Sequence, residues 1–194
     1  MKLWKLDLQF HANEVVTEYA LANIVRVNIT TQETVPLIYS LTDVASEAEV
    51  SAYMSEGIDE MLRIKNTVKA QNKTADIVMG YDIMLTQVTM IPEILALIDG
   101  GTYTVATKKY AGAPIGVAVE RTLFDLDIFV EEKDADGSTK GFVKFTYKNC
   151  EGKPLNFSMK DGEFFVPEMS LESRPKIGES PIEFEMLEAL PTVT

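Results

Sequence analysis

The sequence has very little of the residue types that carry most protein chemistry: one cysteine, one histidine and one tryptophan in 194 residues. Cys150 alone cannot form an internal disulfide, a CxxC redox pair or a multi-cysteine metal site, and we expect it to be a small core or turn residue. His11 lies in a polar N-terminal stretch, where little would hold an imidazole in position for catalysis. The scarcity of these residues argues against nucleophilic, redox and zinc chemistry.

The chain also lacks the signatures of membrane, secreted and nucleotide-binding proteins. It has no apolar run of membrane-spanning length, and Lys5, Asp7 and His11 interrupt the apolar residues of the N-terminus, unlike a secretory signal. No phosphate-binding loop, dinucleotide fingerprint, zinc-ligand spacing or nucleophile elbow occurs. We therefore expect a soluble protein made in a cytoplasm, and no cofactor.

Basic residues are outnumbered and unevenly placed. The chain has 18 lysines and arginines against 30 acids, a net charge of −12, which repels nucleic-acid phosphates over most of a surface. Four of the bases fall within residues 61–80, where Asp76 is the only acid. They are Arg63, Lys65, Lys69 and Lys73, and this basic segment could bind an anion or another copy of the protein.

Alternating apolar and polar residues predict antiparallel strands in the C-terminal half. The stretches "TLFDLDIFVEE" and "GFVKFTYKN" each place apolar residues on one face, and "KDADGSTKG" between them suits a hairpin loop. An EF-hand calcium loop is the alternative for Asp134 and Asp136. A plain turn is favoured because Gly137 comes too early and position twelve of the loop would be Phe145 instead of glutamate.

A second hairpin is predicted farther along the chain. The stretch "PLNFSMKDGEFFVPEMSLES" alternates, turns at Asp161 and Gly162, and returns as a structural strand from Glu163 to Glu172. Pro167 lacks a backbone donor, so it marks an edge, a bulge or a change of pairing partner. The stretch "PIEFEMLEALP" predicts a closing strand.

The middle of the chain holds one long predicted strand, Asp76 to Met90, which could pair with the alternating stretch "EVSAYMSEG" upstream. The connection between them contains the basic segment, and a connection so long inside a compact domain usually has a function. "IPEILALIDGG" predicts the helix, with Pro92 in its first turn and two glycines at its end. "TVATKKYAGAPIG" is expected to be a loop and "IVRVNIT" a strand.

Together these patterns predict a mainly β fold: an antiparallel β-sandwich or partial barrel with one short flanking α-helix at about 92–99. Residues 1–40 are expected to be an N-terminal arm and a first strand, and whether they order only on assembly is left open. Residues 41–194 are expected to form the β domain, with a long basic inter-strand loop at about 57–75.

The order of these features resembles the major tail proteins of long-tailed, non-contractile bacteriophages and related prophages of Gram-positive bacteria. The resemblance covers about residues 42–191. It rests on "GYDIMLTQVTMIPEILALIDGG", on "VERTLFDLDIFVEEKDADG", and on the series from "GFVKFTYKNC" to "EFEMLEALP", which includes Ser173-Arg174-Pro175.

The resemblance implies a tail tube protein without enzymatic activity, with a β domain of the tail tube type whose copies form stacked, hexameric rings. It implies a place in the virion tail after synthesis and assembly in the host bacterial cytoplasm. The implied partners are other copies of the chain, tail proteins such as a tail-tip initiator and a terminator, and DNA that passes without sticking; no membrane partner is implied.

Two sets of charged residues are candidates for such a role. The basic segment would contact an acidic surface of the next ring. Acidic strand residues would face the lumen and repel DNA; the candidates are Asp82, Asp125, Asp127, Glu183 and Glu185. The alternative that these acids only solvate the outside stays open, because the sequence does not say which strand face looks inward. Arg174 is expected to pair with an acid and not with a ligand.

Three other functions remain open. A carbohydrate-binding or adhesion β-sandwich needs exposed aromatic residues, which the single tryptophan, Trp4, supplies poorly. A hydrolase would use Asp125 and Asp127, although acids two apart on a strand face are usually only solvated. The inner tube protein of a contractile tail or a phage-tail-like particle is the nearest relative of the favoured function.

Overall fold

The computed structural model describes residues 18–42, 45–156 and 158–192. Within these ranges the chain forms twelve strands and one helix, α1 (Pro92–Asp99). The strands are β1 (Ala20–Thr31), β2 (Ile38–Thr42), β3 (Ala45–Ser55), β4 (Asp59–Ile64), β5 (Thr67–Lys73), β6 (Ile77–Gln87), β7 (Thr102–Thr104), β8 (Lys109–Ala111), β9 (Phe124–Lys133), β10 (Thr139–Gly152), β11 (Glu168–Ser173) and β12 (Glu183–Leu187). Trp4, His11 and the other residues of 1–17 lie outside the described part, so the predictions made for them are not addressed.

Eight of the described strands form one antiparallel sheet in the order β2-β1-β9-β10-β11-β6-β3, with β12 also paired to β10. Strand β10 has 14 residues, enough for two successive partners on one side: residues 142–146 pair with β12 and residues 150–152 with β11. The sheet curves so that β3 approaches β1. The predicted fold class is confirmed, as are the β9–β10 hairpin and the pairing of β3 with β6.

The core lies on one side of this curved sheet, as the two-residue period of a strand requires. In β9, Phe124, Leu126 and Ile128 are buried, whereas Asp125 and Asp127 between them point to the opposite side. Strands β1, β6 and β11 contribute further buried side chains; these are Val27, Ile29, Ile83, Leu85, Met169 and Leu171. We call the core side the inner face of the sheet and the other side the outer face.

Helix α1 packs on the core through Ile94, Leu95 and Ile98, all buried. Pro92 occupies the first turn, where backbone N–H groups have no acceptor within the helix, so the N–H that proline lacks is not needed. Gly100 ends the helix in the left-handed conformation, with φ of 75°, and its N–H donates to the Ala96 carbonyl at 3.0 Å. The helix predicted at about 92–99 is therefore confirmed at both ends.

The predicted second hairpin is wrong in its first half. Strand β11 begins at Glu168, and the preceding stretch makes one isolated bridge, Asn156 with Glu168, among the described residues. One edge of β11 is filled by β6, and β10 pairs with residues 171–173 on the other, so the preceding stretch meets only the short remainder of that edge, at Glu168. Pro167 has no N–H to give to a ladder; its carbonyl accepts from the Gln87 N–H at 3.0 Å. Phe164 is consequently 97% exposed.

Two other connections are more ordered than the sequence patterns indicate. The expected loop after α1 contains the short β7–β8 hairpin, which Tyr110 ties to the helix by donating its hydroxyl to Asp99 Oδ2 at 2.5 Å. The expected loop at about 57–75 contains the β4–β5 hairpin. At the N-terminal side, β1 lies inside the main sheet between β2 and β9, so a division after residue 40 would pass through β2.

Strand β10 and α1 touch at Gly152, where a Cβ atom would lie 2.3 Å from the Ile98 carbonyl oxygen. We expect Gly152→Ala to lower the free energy of unfolding by about 1–3 kcal/mol, the usual cost of overpacking. Denaturant unfolding would measure it. Gly112→Ala is the matched control, because the nearest atom to its added Cβ is a side-chain oxygen at 3.3 Å. Equal unfolding midpoints for the two variants would contradict a close helix–strand contact.

Of the two places expected for Cys150, the core or a turn, the structure shows the core: Cys150 is fully buried, and burial raises the pKa of its thiol from 9.0 to about 12. We expect a thiol reagent at pH 9 to label Cys150 only after the chain is unfolded. Because folding raises this pKa, the stability linked to it is present below pH 9 and is lost as the pH rises toward 12. Rapid labelling of the folded protein at pH 9 would contradict the burial.

Candidate assembly surfaces

Residues 57–75, which we call the arm, project from the sheet as the β4–β5 hairpin. Every residue of both strands is exposed. The two strands contact each other extensively and contact the other described elements at most marginally. The arm is therefore the one hairpin of the described chain that leaves both of its faces without a covering layer.

The base of the arm is fixed by hydrogen bonds between its two ends. The Gly57 N–H donates to Asp76 Oδ1 and the Ile58 N–H to Thr74 Oγ1, each at 2.7 Å, and the Thr74 N–H donates to the Ile58 carbonyl at 2.8 Å. A Cβ atom on Gly57 would lie 2.1 Å from the Thr74 carbonyl oxygen, so this crossing needs glycine. The direction of the arm is thus set at its base and not by packing along its length.

Apolar side chains line the arm although nothing in the described chain covers them. Each exposes about half of its surface; they are Ile58, Met61, Leu62, Ile64 and Val68. The exposed apolar surface continues into the adjoining ends of β3 and β6, through Met54, Ile77 and Val78. Apolar side chains exposed on a projecting element are a candidate contact site for another chain.

The four bases predicted for ring contact all lie on the arm. The register sets Arg63 opposite Val68 and Lys73 opposite Asp59, Lys65 lies in the turn with φ of 53°, and Lys69 falls at the irregularity in the ladder. They are therefore spread along the arm instead of forming one patch. None of the four makes an ion pair with a described residue.

The five predicted acids all lie on the outer face. Asp82, Asp125 and Asp127 alternate with buried residues of their strands, and the register sets Glu183 and Glu185 opposite Thr146 and Lys144 on that face of β10. Most are already partnered. Asp127 Oδ1 accepts from Thr146 Oγ1 at 2.6 Å, and Asp125 Oδ1 accepts from the Asn149 N–H at 2.9 Å. On β12, Glu183 pairs with Lys148 at 2.5 Å and Glu185 with Lys144 at 2.9 Å.

Sequence reasoning missed these lysines. Lys144 and Lys148 occupy the polar positions of "GFVKFTYKN", so the sequence predicts that they lie on the outer face. It does not predict that β12, which carries their acidic partners, is the neighbouring strand. Their hydrogen bonds to Glu185 and Glu183 raise the pKa of both amines. The outer face is therefore a network of paired charges and is less negative than a set of free carboxylates.

Asp82 belongs to a separate cluster around Arg174. Arg174 Nη2 lies 2.7 Å from Asp82 Oδ1 and 3.3 Å from Glu172, and Nη1 donates to the Tyr81 carbonyl at 3.0 Å. The guanidinium also stacks on the Tyr53 ring, 4.2 Å from its centroid. This side chain thus ties the end of β11 to β6 and β3, and the expectation that Arg174 pairs with an acid is confirmed.

A surface cleft of about 540 Å³ lies across β3, β6 and β11 and is open; its polar lining includes Glu49, Asp82 and Lys153. No group of three or more histidine, cysteine or acidic side chains in the described ranges is arranged to hold a metal ion. Asp125 and Asp127, the acids of the hydrolase alternative, hold structural hydrogen bonds. The described part contains no helix long and apolar enough to span a membrane.

Comparisons with known proteins leave the family undefined. No protein-family model matches the chain, and no curated protein matches it. Among solved structures, the chain is similar to a chain in the cryo-EM structure of the anti-feeding prophage baseplate, six-fold symmetrised, with a TM-score of 0.42 and 9% identity over 89% of this chain and 97% of that one. At this level of similarity, function has to be argued from the residues of this chain.

We expect Arg174→Ala to lower the free energy of unfolding by about 1–3 kcal/mol, because it leaves Asp82 and the Tyr81 carbonyl without their charged donor. Arg174→Lys should have a free energy of unfolding between those of Arg174→Ala and the unsubstituted protein, since an amine keeps the charge but not the planar contacts. Lys160→Ala is the control: its exposed pair with Glu163, at 3.4 Å, should contribute about 0–1 kcal/mol. An Arg174→Ala variant as stable as this control would show that the cluster does not stabilise the fold.

Proposed function

We propose that this protein is a non-enzymatic structural subunit of a phage particle that assembles with copies of itself, and specifically a tail tube protein whose stacked rings conduct DNA. The observation that carries the proposal is the arm, a hairpin anchored at its base with apolar and basic side chains that its own chain leaves uncovered. The sequence resemblance to major tail proteins gives the same role. A non-contractile tube is favoured on that resemblance, and the inner tube of a contractile tail is its alternative.

Energetics favour a closed assembly over an isolated pair of copies. Full burial of one large apolar side chain contributes about 1.5–3 kcal/mol, so a half-exposed one has about 1 kcal/mol left to contribute. The five apolar residues of the arm therefore supply on the order of 5 kcal/mol, comparable to the 4–15 kcal/mol cost of association. One contact alone is marginal, and a ring in which every copy gives and receives an arm multiplies it.

The positive charges of the arm favour its contact with a negatively charged surface. The arm carries Arg63, Lys65, Lys69 and Lys73 without ion-pair partners among the described residues, while the whole chain has a net charge of −12. A basic arm is therefore attracted to most surfaces of another copy, and the attraction should weaken as salt screens it.

The outer face suits a surface past which DNA slides. In the proposed tube, Asp82, Asp125, Asp127, Glu183 and Glu185 would look toward the lumen. Pairing of Lys144 and Lys148 with Glu185 and Glu183 keeps those amines from acting as free phosphate-binding groups. Because each neutralised phosphate strengthens binding, masking lysines keeps DNA contacts weak.

Negative-stain electron microscopy of the purified protein, across concentration and salt and with its solution mass, tests the proposal. We expect six-fold rings or hollow tubes that become fewer at high salt. Lys65→Glu with Lys69→Glu should reduce assembly at least about tenfold, because two attractive contacts per copy become repulsive. Lys109→Glu with Lys160→Glu is the control with the same charge change away from the arm.

The outcome separates the possible roles. Persistent monomers even in the presence of a cognate tail-tip complex would overturn the tail tube role. Equal loss of assembly in the arm variant and the control would mean that overall charge, and not the arm, governs the contact.

A further inference from the structure

Arg26 of β1 is a buried, positively charged residue that uses only part of its hydrogen-bonding capacity. It lies on the outer face, because side chains alternate along a strand and the next residue, Val27, belongs to the core. Arg26 is only 5% exposed, and its guanidinium stacks on the Phe129 ring, 4.4 Å from the centroid. Nη1 donates to the Pro191 carbonyl at 2.7 Å. Nε and Nη2 are buried and have no hydrogen-bond partner among the described residues.

The two unused nitrogens form one edge of the guanidinium. The N–H groups of Nε and Nη2 point the same way from the planar group, and such a pair matches the two oxygens of a carboxylate or a phosphate. Buried polar groups without partners are few in native proteins, and a buried charge without a counter-charge destabilises the fold. Arg26 makes no ion pair with a described residue. Its free edge therefore suits an oxyanion supplied by another molecule.

The acids closest to this edge in the strand order are committed elsewhere. Asp127 and Glu131 flank Phe129 on the outer face of β9. Asp127 holds the hydrogen bond described above, while Glu131 accepts from Asn23 at 2.9 Å and pairs with Lys133 at 2.8 Å. Their charges still repel an incoming anion, and they repel a phosphate more than a carboxylate, which carries a single charge. The surroundings thus favour a carboxylate as the ligand.

The C-terminal segment, residues 188–192, lies over this site and is lightly held. Four of its five residues are exposed, and Leu190 is half-buried. Its recorded hydrogen bond to the sheet is the one from Arg26 to the Pro191 carbonyl. A segment with so few contacts opens at a small cost in free energy. It can therefore move aside and admit a ligand to the guanidinium.

We propose that the Nε and Nη2 edge of Arg26 is a carboxylate-binding site, and that the C-terminal segment moves aside to admit the carboxylate. A free organic acid and an acidic side chain of a second copy both present this group, and the experiment below separates them. The site does not rest on the tail tube function.

Acetate is the probe for this site. The full-length chain, dilute and labelled with nitrogen-15, is titrated with sodium acetate and, at equal ionic strength, with sodium chloride, while NMR follows the Arg26 Nε–H and the Thr192 amide. We expect saturable shifts with acetate only. Arg26→Gln should abolish the acetate shift at Thr192. Lys148→Gln, which removes another outer-face charge, should keep it. Equal shifts with both salts, or a shift that survives Arg26→Gln, would overturn the proposal.

A second pair of variants tests the C-terminal segment and leaves Arg26 in place. Leu190→Ser removes the half-buried apolar contact, so the open state becomes more populated and acetate should bind at least about threefold more tightly. Ala189→Ser, at an exposed position of the same segment, should leave the affinity unchanged. Equal acetate affinities of these two variants would overturn the proposal even if Arg26→Gln fails to fold.

The source of the carboxylate is read from the same resonances without acetate. Shifts that grow with protein concentration and are reversed by acetate assign the carboxylate to a second copy. Resonances that respond to acetate but not to protein concentration assign it to a free organic acid. Both results support the site, and neither depends on whether the protein forms tubes.

Discussion

The rest of the structure depends on the change of partner along one edge of β10. One edge of this strand pairs with β9, while the other pairs first with β12 and then with β11. The change falls at an irregularity between Tyr147 and Cys150, where Asn149 adopts φ of 55°. Asparagine tolerates this left-handed conformation better than most residues. Its N–H donates to Asp125 and its side-chain amide to the Arg174 carbonyl at 2.7 Å, so one residue joins both halves of the sheet at the switch.

The different roles of the two faces of the sheet follow from that junction. Because β10 is continuous across the two halves, its inner-face residues, such as Tyr147 and Cys150, contribute to one core under α1. Its outer-face lysines reach acids on the neighbouring strand β12. The same strand therefore supplies the apolar contacts that stabilise the subunit and the paired charges that moderate its outer surface. Alternate residues of one strand therefore have these two roles.

What the sheet leaves uncovered is as informative as what it buries. The arm keeps apolar side chains half in water, and the cleft between β1 and β3 keeps two strand edges unpaired among the described residues. Both are costs for a lone folded domain, and a chain that carries them has either a partner or a segment of its own to cover them. The arm projects away from its own body and fits the first case.

The sequence by itself determined the mainly β class, the helix between Pro92 and Gly100 and the β9–β10 hairpin, because period, caps and turn residues are local signals. It did not determine which strands become neighbours. The stretch before Pro167 alternates like a strand, yet it meets the sheet only at the bridge of Asn156 with Glu168, because β6 and β10 occupy most of both edges of β11. Likewise the acids of β9 and β12 were identifiable, but their lysine and threonine partners were not. Strand pairing joins residues far apart in the chain, so only the tertiary structure decided which edges are filled, which charges are paired and which hairpin projects as the arm.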